Sequence, residues 1–151
     1  MSRFRTLLFV LAGSAPLAHA AVPDPCTFVT LAEVNAIAGG AALKAESRVN
    51  GSQGACVFLD KSKSAVYTLD IEEDPDPKRA LKDVLANTEK QHKKPGKPLT
   101  GIGDQAAYIE NMRVVYAAKG KYFICSYFAA GQHNTEANIA KLSEAVIKRV
   151  K

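Results

Sequence analysis

Residues 65–73 read "AVYTLDIEE", with Ala65, Tyr67, Leu69 and Ile71 alternating against Thr68, Asp70 and Glu72. That period of two is the pattern of a strand with one face in a core and the other in water. Such a strand cannot stand alone, because its backbone groups need partners on both edges and its apolar face needs a cover. The neighbouring sequence supplies both. "ALKAESRV" and "ACVFLD" flank the turn-rich "NGSQG", and the polar "KSKS" separates them from residues 65–73. Three further strand-like runs, "QAAYIE", "RVVYAA" and "YFICSYFAA", come later, the last two joined by a tight turn at Lys119-Gly120.

Helices are expected at three places. Thr30 with Glu33 makes a capping box, Val29 with Val34 a hydrophobic staple, and Gly39-Gly40 a stop, so a short helix starts at Leu31. Asp76-Pro77 is an N-cap and N1 pair for a second helix carrying Leu81, Val84, Leu85 and Thr88 on one face and ending before Pro95-Gly96. A third starts near Asn134 or Thr135, places Ile139, Leu142, Val146 and Val150 on one stripe, and closes on Lys148, Arg149 and Lys151.

An offset of 58 residues brings the halves into register without gaps, setting Val57 on Val115, Lys61 on Lys119, Leu69 on Tyr127 and Leu81 on Ile139. The expected fold is α+β: a leading short helix, then two βββα units as an internal duplication, forming an antiparallel sheet with helices packed on one face.

The first twenty residues, "MSRFRTLLFVLAGSAPLAHA", have the basic start, short apolar run and small-x-small end of a secretory signal peptide. Cleavage after Ala20 leaves a single domain over residues 21–151 without a transmembrane anchor, periplasmic or secreted. Cys26 follows "VPDP" rather than a lipobox, which disfavours lipid anchoring. Loss of Arg3 and Arg5 takes the net charge from +5 to +3, too little to imply nucleic acid.

Three cysteines in an exported chain allow three intramolecular pairings. Cys26 with Cys56 is the favoured one, because Cys26 sits in the proline-restricted lead-in "VPDPCTF" whereas Cys125 lies inside the apolar "KYFICSYFAA". Cys125 is then a small buried hydrophobe.

Motifs that carry chemistry are few. "GIGDQAAY" mimics a dinucleotide turn, but that turn must follow a buried strand and open a helix. Here it follows the polar "KKPGKPLT" and precedes strand-like residues, so Gly101, Gly103 and Asp104 read as a turn. Glu72, Glu73, Asp74 and Asp76 crowd four carboxylates together, yet the local pattern is that of a helix cap and no calcium loop accompanies it. No cofactor and no metal are expected. His92 and His133 are the mature chain's two histidines, and a thiol hydrolase built from Cys125, His133 and Asn138 is the alternative to a non-catalytic protein.

Pro25-Cys26, Thr30-x-x-Glu33 with Gly39-Gly40, Cys56-x-Phe58 and Gly101-x-Gly103-Asp104-x-Ala106 together resemble a broad group of bacterial secreted proteins of unknown function, many of them lipoproteins. The resemblance implies a cysteine pair and a small α+β envelope domain, and brings no catalytic residue. A binding module, of inhibitor or immunity type, is therefore the expected function. Lys61 and Lys63 on one hairpin tip and Lys119 and Lys121 on another would form a basic edge for an acidic envelope protein or an anionic polymer, with Tyr67, Tyr108, Tyr116, Tyr122 and Tyr127 adding contact area. The competing account is that these lysines solubilise hairpin tips and that most of the tyrosines are core.

Overall fold

The structure, a computed structural model, describes residues 22–129 and 131–151; the expected signal peptide lies outside the described residues. A 3-10 turn (Pro25–Thr27) and helix α1 (Leu31–Ala38) lead into β1 (Lys44–Asn50), β2 (Gln53–Leu59), β3 (Ala65–Glu73) and α2 (Pro77–His92). Strands β4 (Lys97–Leu99), β5 (Gln105–Ile109), β6 (Val114–Lys119) and β7 (Tyr122–Phe128) follow, then α3 (Glu136–Ile147). The chain is α+β, with a single sheet in the order β1-β2-β3-β7-β6-β5-β4 and every neighbouring pair antiparallel.

The expected caps are in place. The Thr30 hydroxyl accepts from the Glu33 N–H while a Glu33 carboxylate oxygen accepts from the Thr30 N–H. Asp76 accepts from the Arg79 N–H at the start of α2, and Thr135 from the Asn138 N–H at the start of α3. β4 is an element that "KKPGKP" hid. Its Pro98 lacks an N–H, which is tolerated because β4 lies at the sheet edge and pairs only with β5.

The expectation that all helices pack on one face is corrected. The Ser126 and Ser143 hydroxyls meet at 2.7 Å, which puts α3 on the same face as Cys56, Leu69 and Val115. The 3-10 turn and α1 share that front face, in one core with Phe58, Tyr67 and Phe128. Helix α2 lies on the back, over β5, β6 and β7. Its Leu85 reaches Gly96 beside Ala107 and Ile109, and a Cβ at Gly96 would fall 2.6 Å from Leu85 Cδ2. The reason is in β5 and β6. Ala106 to Ile109 and the pairs Val114-Val115 and Ala117-Ala118 are buried at consecutive positions, so both faces of these strands are apolar and both need a cover.

The gapless offset of 58 does not carry over to the strands. Val57 faces back while Val115 faces front, and Leu69 faces front while Tyr127 faces back. With a side-chain period of two, a one-residue slip exchanges the faces.

Candidate functional site

Helix α2 leaves the back of β1, β2 and β3 uncovered, and a groove of about 450 Å³ opens there. Its floor is made of two cross-strand rows. Arg48, Ala55, Asp70, Cys125 and Tyr116 are successive partners across β1, β2, β3, β7 and β6. Asn50, Gln53, Glu72 and Phe123 form the row beside it. Neighbouring strands lie ~4.8 Å apart, so the Arg48 and Asp70 backbones are separated by roughly 10 Å, with only the small Ala55 between them. Phe123 gives the groove an aromatic wall, and Tyr116 stacks on it from beyond the groove at 5.6 Å between ring centroids.

Asp70 is the group of chemical interest. Its side chain is half-buried, burial pushes its carboxyl above the usual range, and among the described residues no ion pair or hydrogen bond engages it. Glu72, by contrast, accepts from the Gln53 amide at 3.0 Å. Cys125 is the free thiol, and burial together with the adjacent Asp70 charge pushes it up to about 12. Tyr116 is likewise raised to about 12, first by burial. The row therefore holds a protonated thiol and a neutral phenol beside one carboxylate. It offers hydrogen-bonding groups and one negative charge, not an activated nucleophile.

The structure does not assemble the thiol constellation. Cys125 faces the back groove with Asp70 and Tyr116, whereas His133 precedes the front-face helix α3, its backbone carbonyl accepting from Asn138 Nδ2 and its ring meeting Gln132. The four lysines do not form one edge either. The Lys61–Lys63 tip lies beside the Tyr67–Phe128 end of the central β3–β7 pair, and the Lys119–Lys121 tip beside its Glu73–Tyr122 end. Six residues of strand, roughly 20 Å, separate them. Lys119 is also tied to Asp104 at 3.4 Å and Lys121 to Glu73 at 3.0 Å. Of the five tyrosines, Tyr67, Tyr108 and Tyr122 are buried, and only Tyr116 and Tyr127 stay partly exposed on the back face.

Cys26 and Cys56 form a disulfide, which ties the 3-10 turn to β2 on the front. "GIGDQAAY" is a turn into β5. Gly101 and Gly103 have φ of 79° and 63°, and a Cβ on Gly103 would meet the Ala118 carbonyl oxygen at 2.5 Å. Asp104 donates its N–H to that oxygen and accepts from the Gly120 N–H, a bond that holds its carboxyl below the usual range. The loop thus fastens the β6–β7 hairpin. In "EEDPDP", Asp74 accepts from the Asp76 N–H and Asp76 caps α2; among the described residues no group of three acids, histidines or cysteines is arranged to hold a metal. A broader cleft of about 880 Å³ runs between α2 and β4–β5, but Asp76 and Asp104 in its lining are already engaged in these caps and turns.

Sequence reasoning missed Asp70, which it read as one of the polar residues on a strand's wet face. The missing signal was its neighbour: Cys125 is 55 positions away, and only the β3–β7 pairing sets the two side by side. Among the described residues no helix is long and apolar enough to cross a membrane. Comparison with protein-family models, with curated proteins and with solved structures finds no match.

Proposed function

We propose that the protein is a non-catalytic binding module of the bacterial envelope, exported by its leader, and that the open back face of β1–β3 is its contact surface. The observation that carries the reading is Asp70, a half-buried carboxylate with no partner among the described residues, held in a concave face. A buried charge is costly unless it is paired, so a lysine or arginine side chain of a protein partner supplies the missing half. Tyr116, Phe123 and Tyr127 offer rigid surface for the aliphatic stem of that side chain, and the exposed Arg48 gives the rim a second charge. Two facts agree with the compartment: the disulfide, which persists in oxidising surroundings, and the absence of a membrane-crossing helix among the described residues. The resemblance to secreted proteins of unknown function points the same way. This choice of surface replaces the lysine edge, whose two halves lie at opposite ends of the sheet.

Immobilised wild-type protein and variants, exposed to envelope extract, test the proposal. The expected result is one retained partner, lost with Asp70→Lys, weakened with Tyr127→Ala and kept with Lys61→Glu/Lys63→Glu. Retention that ignores Asp70 and Tyr127 but depends on the lysine tip would overturn it.

A further inference from the structure

The two edges of the sheet are guarded very differently. β4 has three residues, one of them Pro98, and its Lys97 is engaged by Glu136 at 2.7 Å. β1 has seven residues, no proline and no glycine, and almost every position is exposed. Asn50 and Gln53 flank the two-residue turn Gly51-Ser52 and pair toward β2. By alternation, the N–H and C=O groups of Ala45, Ser47 and Val49 point away from β2. Among the described residues no backbone bond outside the β1–β2 pair engages them. An open edge of this length is a template for another strand.

The sequence of the edge says which strand. Set antiparallel against a second copy of itself and centred on Ser47, "KAESRVN" pairs all seven residues. Ser47 meets Ser47, Ala45 meets Val49 twice, and Glu46 meets Arg48 twice. The opposite charges fall at the closer, non-hydrogen-bonded positions, while Ser47, Ala45 and Val49 carry the backbone bonds. Centring on Glu46 or Arg48 would instead set like charges face to face. Glu46 is shared within the chain by Lys44 and, at 3.9 Å, by the exposed Arg48, so the arginine is free to re-pair. Of the three large hydrophobic residues exposed in the described chain, Leu43 and Val49 flank this edge.

We propose that β1 is a self-association edge: two copies join through antiparallel β1–β1 pairing about a two-fold axis at Ser47. The sheet becomes continuous across the dimer, and the back grooves, each rimmed by Arg48 and Asn50, come to lie side by side on one surface.

Sedimentation across micromolar to millimolar chain concentrations measures the dimer, with circular dichroism confirming that each variant is folded. Ser47→Pro, which removes an outward N–H and the hydroxyl's 2.6 Å bond to Asp24 but no backbone bond to β2, abolishes association. Glu46→Arg sets arginine against arginine and weakens the dimer by about tenfold, and adding Arg48→Glu restores it. Ser47→Cys cross-links two chains under oxidation, because a hydrogen-bonded pair holds its Cα atoms about 5.5 Å apart, within disulfide reach. Ala45→Cys does not, since its own copy lies four residues out of register. A chain that is monomeric throughout, a dimer that survives Ser47→Pro, failure of the double reversal to restore binding, or cross-linking at Ala45 in preference to Ser47 each overturns the proposal.

Discussion

Strands β5 and β6 are buried from both sides, by α3 in front and α2 behind, whereas among the described residues β1 to β3 are covered in front only. The front cover of β1–β3 is itself slight: a 3-10 turn and an eight-residue helix. Two long-range ties hold it. The Cys26–Cys56 disulfide fixes the turn to β2, and a bidentate pair joins Glu33 of α1 to Arg149 just after α3, at 2.6 and 2.8 Å. One half of the sheet is thus built for packing, and the other for tethering and exposure. The groove, the acid with no partner among the described residues and the edge left open by them all belong to the exposed half.

The two halves should respond most differently to the same substitution placed on each. Ala118→Asp sets a carboxylate under α2 at a position with no exposure and should cost more than about 4 kcal/mol, enough to unfold the domain. Ala55→Asp, on the same face but in the open groove, should cost about 1 kcal/mol or less, read as a midpoint shift in urea. Equal costs would mean that the back of β1–β3 is covered after all.

Replacing Cys26 and Cys56 together by serine comes next. It opens a loop of about 31 residues and should cost roughly 3–4 kcal/mol, with hydrogen exchange rising first over the 3-10 turn and β1–β2 and least in β6.

Arg149→Ala should cost about 1–2 kcal/mol near neutral pH, because it removes the partner of a capping-box glutamate and the donor to the Phe28 carbonyl. The sign of the pH effect is definite. Arg149, followed by the Thr30 bonds, holds Glu33 down to about 2, against an ordinary value of 4.5. The stabilisation is present above 4.5 and is lost as pH falls toward 2. Thermal melts of Glu33→Gln should therefore converge with wild type across that window and stay apart above it.

The smallest effect should be a gain. Asp70 is raised by burial, so its charged form is disfavoured in the fold, and its contribution is best at low pH and worsens as pH rises through the raised value. Asp70→Asn should stabilise the protein at neutral pH by up to about 1 kcal/mol while weakening partner retention. A variant that loses stability would show that Asp70 serves the fold instead.

Much of this architecture is legible in the chain. The alternation of Tyr67, Leu69 and Ile71 marks β3 as half-buried, and Thr30, Asp76 and Thr135 mark three helix starts, because caps and periodicities act within four residues. The preference for Cys26 with Cys56 was also readable, since one of the three cysteines sat alone in an apolar run. In β6, "VVYAA" carries the sign of a strand covered on both faces, which calls for a helix on each side of the sheet rather than all on one.

Three helices with their caps and six of the seven strands follow from the chain alone, because short-range backbone rules and side-chain period fix them, and the apolar setting of Cys125 favours pairing Cys26 with Cys56. The tertiary structure alone decided which face α2 covers, that the two lysine tips stand at opposite ends, that Arg149 finds Glu33 across 116 positions, and that Asp70 lies beside Cys125. Each depends on the central β3–β7 pairing or on the packing of helices against it. That choice is made by burying the largest apolar area among distant segments, and no local pattern encodes it.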